Sequence, residues 1–287
     1  MKLTAAILAV LSFCLAAPVL ADSDTRRSEQ NWFELTPLYT LNARNAQRVT
    51  VSLSYEKFDN VRIEEAKDFK GYTTSAELIV PFGEHKSWQA RLEVPFFTEG
   101  EAWSLDYDKP IDIRGKGGVF DFASLLLQRE LSTTDTRPYN TSVYFGYGHR
   151  TRPLHTSIRD LYNHHGRMTR VGFNLDNAHP SRPLRWQATA DLRHYFDSDD
   201  LNPSEDGDNF FMLTLSGATV YNVTGPVKPA FELLYSTDFN LRQIFQAVPV
   251  LIIPLGKHVE LKGGYAVGHS NGEGTIHVGT VRTTLRF

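Results

Sequence analysis

Hydrophobic and polar residues alternate one by one along most of the chain. Residues 50–56, TVSLSYE, place Val51, Leu53 and Tyr55 on one face of an extended chain and mostly serine and glutamate on the other. This period of two residues is typical of β-strands with one apolar and one polar face. Together with the turn residues between the repeats, the pattern predicts twelve strands, at residues 47–58, 72–82, 86–97, 117–131, 139–150, 167–176, 184–196, 208–222, 228–239, 242–254, 258–268 and 275–287.

The connections between the predicted strands differ in length in a regular way. Those after even-numbered strands are short, whereas those at 59–71, 98–116 and 151–166 are long. A fourth, at 197–207, is acidic and of intermediate length. Short turns on one side and long loops on the other are typical of transmembrane barrels. The sequence therefore predicts an all-β fold, a closed antiparallel up-and-down transmembrane β-barrel of about 12 strands over residues 47–287.

The alternative fold is a soluble periplasmic jelly roll, whose strands also alternate but whose apolar faces meet in a shared core. Its turns would not need to sort into a long set and a short set. The sorted connections favour the barrel.

Residues 1–21 carry the features of a secretory signal peptide. Lys2 gives a positive start, an apolar stretch follows, and small residues at 19 and 21 precede a plausible cleavage site. Downstream, the longest apolar run, at residues 248–255, is short and interrupted by two prolines. We therefore expect no membrane-spanning helix in the exported chain, and only a closed sheet would satisfy its backbone groups in lipid.

Residues 22–46 stand between the leader and the predicted barrel. Within them, WFELTPLYT at 32–40 also alternates. The segment is therefore expected to be an N-terminal periplasmic segment, a plug, or an extra strand. Cys14, the only cysteine, lies in the leader, so the exported chain would contain no disulfide bond.

Composition and charge exclude other classes of protein. The chain has 287 residues, of which 41% are hydrophobic, so it can bury a core and is not compositionally disordered. Its net charge is −3, and the charges are spread without a basic domain or tail. We therefore expect no nucleic-acid partner.

The polar faces of the predicted strands carry charged residues of balanced sign, seven acidic and seven basic. An arginine or lysine against lipid at the middle of a bilayer costs about 2–4 kcal/mol, so these side chains are expected to line the lumen. They are Glu56, Glu77, Arg91, Glu93, Arg170, Arg185, Asp191, Arg193, Glu232, Asp238, Glu260, Lys262, Arg282 and Arg286.

A charged lumen supports two functional hypotheses. The charges line a narrow aqueous passage, which makes the barrel a passive, porin-like channel for a small hydrophilic solute. Alternatively, they pair across the lumen and seal it, which leaves a structural or adhesive barrel acting through its extracellular loops. Barrels of eight strands are filled by side chains and porins of sixteen are open, so twelve strands fall between. The sequence favours the channel, with a small polar solute as its partner.

The chain ends GTVRTTLRF, in which Val281, Leu285 and Phe287 share one face. An alternating last strand closed by a terminal phenylalanine resembles the assembly signal of Gram-negative outer-membrane β-barrel proteins. Size and strand count are similar to the twelve-stranded channels and transporter-like proteins of that class. The resemblance implies a location in the cell outer membrane, reached through the periplasm. It also implies outer-membrane lipid and lipopolysaccharide as surroundings, and recognition by the barrel-assembly machinery through Phe287.

One short motif suggests an enzyme instead. Residues 268–272, GHSNG, resemble the His-x-Ser-Asn-Gly stretch of outer-membrane phospholipase A, whose histidine and serine are two residues apart. Here His269 and Ser270 are adjacent, so in a strand they would face opposite sides, and they fall in a predicted connection at 269–274. A lipid hydrolase remains the alternative function, but the sequence predicts no enzyme and no catalytic residue.

Two loops contain residues that could bind a metal ion. His164 and His165 lie in the loop 151–166 beside several arginines, which is more typical of a solvated basic loop. The acidic loop 197–207 does not have the ligand spacing of an EF-hand. No metal and no cofactor are predicted.

Overall fold

The described part of the chain is almost entirely β-structure. The computed structural model describes residues 35–63, 66–104, 108–115, 123–135, 137–149, 155–156, 167–179, 182–196, 210–223, 225–239, 243–271 and 274–287. The strands are β1 (Thr50–Ile63), β2 (Ala66–Phe82), β3 (Trp88–Ser104), β4 (Lys109–Gly115), β5 (Ala123–Ser132), β6 (Asn140–His149), β7 (His155–Thr156), β8 (Arg167–Asp176), β9 (Leu184–Phe196), β10 (Phe210–Tyr221), β11 (Lys228–Thr237), β12 (Gln243–Leu255), β13 (Val259–Ser270) and β14 (Gly274–Arg286). A short 3-10 turn at Glu84–Lys86 joins β2 to β3. Within these ranges no helix is long and apolar enough to cross a membrane.

Twelve of these strands close into an antiparallel barrel. The ring runs from β1 through β2, β3, β5 and β6 to β8, and then through each following strand to β14. β14 pairs with β1 from Thr50 opposite Arg286 to Asp59 opposite His277, which closes the sheet. β4 and the two-residue β7 are additional to the ring, with β4 paired to the end of β3 and β7 paired to β4. The predicted closed up-and-down barrel of twelve strands is confirmed.

The outer face of the barrel is apolar. Its exposed side chains include Leu53, Leu78, Leu92, Leu125, Leu127, Phe145, Val171, Phe173, Leu215, Phe231, Leu233, Phe245, Leu251 and Val281. Aromatic pairs flank this band: Phe82 stacks on Trp88 with ring centroids 6.5 Å apart, and Tyr55 stacks on Tyr72 at 5.5 Å. An apolar band between aromatic residues is the surface that a lipid bilayer requires of a barrel.

Two connections that the sequence predicts as long loops are mostly strands. β1 and β2 continue into the predicted loop 59–71, and β3 continues to Ser104. β4 then pairs with the end of β3, so most of the predicted loop 98–116 is also sheet. The alternating pattern misses these extensions because register shifts, such as the one between Phe58 and Val61, break the period of two.

The other two predicted loops, 151–166 and 197–207, lie outside the described residues except for His155 and Thr156 in β7. The strand predicted at 117–131 is described from Ala123 onward.

The histidine–serine motif is part of a strand. β13 runs to Ser270, which pairs with Gly274, so the connection begins at Asn271 and the prediction of a connection at 269–274 is wrong. The strand reaches this far because its partner β12 begins at Gln243, close to the same end. His269 is exposed on the outer face, whereas Ser270 is buried on the inner face. The two side chains therefore cannot exchange a proton.

One position of the wall requires glycine because another side chain approaches closely. The ring of Tyr144 lies across Gly172 on the neighbouring strand, and a Cβ atom at residue 172 would lie 2.2 Å from Cζ of Tyr144. Tyr144 is buried. Wall side chains therefore fill part of the lumen by themselves.

Candidate functional site: the lumen and its inner segment

Residues 35–48, called here the inner segment, lie inside the barrel and form neither a strand nor a helix. Their contacts reach β3, β5, β8, β9, β11, β13 and β14, which surround the lumen. Because the segment precedes β1, it enters from the end of the barrel at which β1 starts and β14 stops. It therefore occupies lumen space on that side.

Glu232 of β11 fixes the middle of the inner segment. The backbone N–H of Leu38 donates to Oε1 at 2.6 Å, and those of Tyr39 and Thr40 donate to Oε2 at 3.0 Å and 2.9 Å. The Thr40 hydroxyl donates to Oε2 at 3.0 Å. Four donors thus converge on one fully buried carboxylate, which compensates for its loss of water.

Three further side chains from different strands hold the rest of the segment. Each accepts a hydrogen bond from a backbone N–H: Asp176 from Ala43 at 2.9 Å, Glu130 from Asn45 at 3.0 Å and Gln89 from Ala46 at 2.9 Å. Together with Glu232, they supply the acceptors that a strand or helix would otherwise give these donors. An irregular backbone is therefore tolerated inside the barrel.

Two buried cations extend this anchoring. Arg185 of β9 lies 3.5 Å from Asp176 and donates through its NH1 group to the carbonyl of Leu35 at 2.5 Å. Lys262 of β13 lies 2.8 Å from Glu260. The acidic groups of this side of the lumen are thus paired with wall cations, with the inner segment, or with both.

An apolar patch on the inner wall receives the segment. Val248, Val250 and Ile252 of β12 are buried on the inner face, and Leu35 and Leu38 belong to the same apolar cluster. β12 is therefore apolar on both faces, because the inner segment covers one face and the other face is part of the outer surface.

On the walls from β2 to β9, six charged side chains of alternating sign form a chain of contacts, called here the ion ladder. Its nitrogen–oxygen distances are 3.6 Å for Glu77–Arg91, 3.8 Å for Arg91–Glu93, 3.4 Å for Glu93–Arg170, 3.0 Å for Arg170–Asp191 and 2.8 Å for Asp191–Arg193. Each charge within the ladder has an opposite charge on both sides, which offsets the cost of taking it from water.

A cavity of about 360 Å³ remains in the lumen. Its lining comes mainly from the inner segment and from β14, β1, β2 and β3, so it lies between the segment and that part of the wall. Tyr39 and Arg282 project polar groups at its surface: the Tyr39 hydroxyl is 2.6 Å from Oγ1 of Thr280, and Nε of Arg282 donates to Oγ of Ser54 at 2.8 Å. The volume falls within the range of small-molecule sites, about 300–1,000 Å³.

The structure divides the fourteen charged residues predicted for the lumen into three groups. Nine line the cavity: Glu56, Glu77, Arg91, Glu93, Arg170, Arg193, Lys262, Arg282 and Arg286. Four are buried beside the inner segment or in the ion ladder: Arg185, Asp191, Glu232 and Glu260. Asp238 follows Thr237, the last residue of β11, in the connection to β12.

The sequence offers a plug as one interpretation of residues 22–46, but it identifies none of the contacts of the inner segment and gives no role to the neutral acceptor Gln89. Two signals were available. The alternation within 32–40 marked an apolar segment without a partner, and the run of apolar residues at 248–255 marked an inner wall that needed a cover. Without the fold, nothing in the sequence shows that these two apolar segments pack against each other.

Among the described residues, no three histidine, cysteine, aspartate or glutamate side chains gather as a metal site. His164, His165 and the acidic loop 197–207 lie outside the described residues.

Comparison with known proteins finds the fold but no family. No family model and no curated sequence matches the chain. An outer membrane channel from Pseudomonas putida F1 superposes with a TM-score of 0.57 at 12% identity, over 88% of this chain and 100% of that one. The translocator domain of the autotransporter NalP from Neisseria meningitidis gives 0.53 at 13% identity, over 85% and 90%. The transport unit of the autotransporter AIDA-I from Escherichia coli gives 0.52 at 9% identity, over 92% and 97%.

Proposed function

We propose that this protein is a passive channel of the outer membrane for a small hydrophilic solute. The location is supported by the closed barrel with its apolar outer face, because a bilayer accepts a sheet only in that form. It is also supported by the signal-like residues 1–21 and by the terminal Phe287, which fits recognition by the barrel-assembly machinery. Lipid and lipopolysaccharide would then surround the barrel.

The charged cavity is the observation that carries the function. Its lining combines ionic and polar side chains with space for a small molecule, and the barrel wall separates it from the apolar outer face. Such a lining can replace part of the hydration shell of a polar solute by hydrogen bonds and ionic contacts. It offers no favourable contact to a hydrocarbon. The channel would run along one side of the inner segment, through the cavity.

The inner segment favours a second candidate, a sealed barrel that acts through its outer loops. The segment crosses the lumen with contacts to seven strands, which is the arrangement of a plug. The hydrolase alternative has no comparable support, since His269 and Ser270 face opposite sides of the wall.

Conductance separates the two candidates. The full exported chain, purified and inserted into planar lipid bilayers, is expected to give discrete current steps, and liposomes that contain it are expected to swell in small sugars. Heat-modifiable migration on a gel would establish that the barrel is folded. A folded barrel that gives neither steps nor swelling would exclude the channel and favour the sealed barrel.

A further inference from the structure

The signs of the lumen charges are balanced along the sequence but not at the surface of the cavity. Glu232, Asp176 and Glu130 accept hydrogen bonds from the inner segment and do not line the cavity. Glu260 is fully buried between Lys262 and Arg286, at 2.8 Å and 2.9 Å. Most of the acidic side chains are therefore used in holding the segment or the wall.

Basic side chains outnumber acidic side chains in the lining of the cavity. Three acidic residues line it: Glu56, Glu77 and Glu93. Six basic residues of the strands line it: Arg91, Arg170, Arg193, Lys262, Arg282 and Arg286. The inner segment adds Arg44 and Arg48. Carboxylates behind the lining offset part of this excess, because Asp191 pairs with Arg170 and Arg193, and Glu260 pairs with Lys262 and Arg286. The positive charge that remains, within low-dielectric walls, attracts anions.

Two of these cations make no salt bridge with another described residue. Within the part of the chain that the structure describes, neither Arg48 nor Arg282 has a carboxylate within 4.0 Å, whereas Arg286 is paired with Glu260 and Arg44 with Asp135. Arg282 is held by Ser54 through Nε, which leaves its terminal NH1 and NH2 groups at the cavity. A guanidinium with two free nitrogens is suited to a carboxylate or phosphate group.

We infer that the cavity is a site for small oxyanions, with Arg282 as the central contact and Arg48 as a second cation on the inner segment. If the protein is a channel, as proposed above, the site makes that channel prefer anions, and this consequence rests on the proposed function. The inner segment contributes to this preference, because it covers carboxylates that would otherwise face the solute and adds Arg48 to the lining.

Ion selectivity tests the inference. In planar bilayers with a gradient of potassium chloride, the reversal potential is expected to show that chloride is more permeant than potassium. The double substitution Arg48→Gln and Arg282→Gln should bring the permeability ratio close to one. Arg137→Gln is the matched control, because it removes one charge from an exposed turn that does not line the cavity, and it should leave the ratio unchanged. Current steps without an anion preference would overturn the inference and leave the channel intact.

Equilibrium dialysis keeps the anion site testable if no current is seen. Folded protein in detergent is expected to retain radiolabelled inorganic phosphate, and Arg282→Gln should bind it about tenfold more weakly, the equivalent of one lost charge-assisted hydrogen bond. Competition by succinate would show that the site accepts carboxylates as well as phosphate, and its failure would restrict the site to phosphate. The absence of phosphate and succinate binding by a barrel that conducts no current would overturn the inference together with the channel.

Discussion

The two sides of the lumen use the same kinds of side chain for different purposes. On the side of β8 to β13, carboxylates such as Glu232 and Asp176 are buried against the inner segment, whose backbone supplies their hydrogen bonds. On the side of β14 to β3, Glu77 and Arg282 face the cavity. Charged side chains point into the lumen on both sides. What differs is whether a backbone donor reaches the carboxylate, so the charge that a solute meets is set by the segment as much as by the wall.

Removing the inner segment should abolish the difference between the two sides. Replacement of residues 35–46 by glycine and serine in a chain of the same length removes the apolar anchors Leu35 and Leu38. The filled side would then open, conductance should rise several-fold, and anion preference should fall because Glu232 becomes accessible. Single-channel recording measures both quantities.

The matched control for this replacement changes Arg137 and Pro138, exposed residues of a turn, to glycine and serine. It should leave both quantities unchanged. Unaltered conductance after replacement of the segment itself would show that the segment does not limit the passage.

Glu232→Ala should weaken the docking of the inner segment against β8 to β13 and leave the wall from β14 to β3 unchanged. It removes the acceptor of three backbone N–H groups, and one buried donor without a partner costs about 1–3 kcal/mol. Labelling of a thiol introduced by Leu38→Cys should therefore be about tenfold faster or more. Cys14 is the only native cysteine and is predicted to be removed with the leader. The introduced thiol would therefore be the only one labelled.

Glu232→Gln is the matched variant for this measurement, since it keeps one oxygen acceptor and should give an intermediate labelling rate. Equal rates in all three proteins would mean that the carboxylate does not anchor the segment.

Arg170→Met should weaken the ion ladder, which joins β2 and β3 to β8 and β9. It leaves both Glu93 and Asp191 without the cation between them. The free energy of unfolding should fall by about 1.5–3 kcal/mol, the worth of hydrogen bonds to charged groups. Urea unfolding in lipid vesicles measures this change.

Arg129→Met serves as the control for the ladder. Arg129 is exposed on the outer face, 5.3 Å from the ring centroid of Trp88, and its loss should cost about 0.5–1 kcal/mol. A larger loss for Arg129 than for Arg170 would contradict a stabilising role of the ladder.

The smallest effect is expected from two neighbouring glycines of β13. A Cβ atom at Gly264 would lie 2.4 Å from Cδ1 of Leu38, whereas a Cβ atom at Gly263 has no atom within 4 Å. Gly264→Ala should displace the end of the Leu38 side chain and destabilise the docked segment by about 1 kcal/mol, the lower end of the cost of an added methyl group in a packed site. Gly263→Ala should not. A thiol introduced by Leu35→Cys, which leaves Leu38 in place, reports the docking. Identical labelling of this thiol in the two backgrounds would show that Gly264 is not part of the docking site.

The sequence predicts the barrel well because lipid imposes a period of two on every strand that it touches. The predicted strands at 167–176 and 184–196 match β8 and β9 to the residue. Beyond the lipid-facing band the strands no longer alternate strictly between apolar and polar residues. The sequence therefore does not predict the extensions of β1 to β3 or the additional strand β4. In β12, apolar residues on both faces hid the alternation, because the inner face packs on Leu35 and Leu38.

The site could be predicted only in part. Alternation identifies which charges face inward, since parity alone decides it. It cannot tell that Glu232 binds residues 38–40 while Arg282 remains at the cavity, because these contacts join positions about two hundred residues apart and depend on the path of an irregular segment.

The anchoring of the inner segment also constrains the order of events during folding. The hydrogen bonds of its middle part reach from Leu38 to Glu232 and from Tyr39 to Thr280, so this part has its partners on strands near the far end of the chain. Residues 38–40 therefore cannot make these contacts until β11 and β14 are in place. Contacts of such long sequence separation form slowly. The lumen would then be completed after the sheet. A chain truncated before β11 would keep the acceptors on β3, β5 and β8 but lack those that hold residues 38–40.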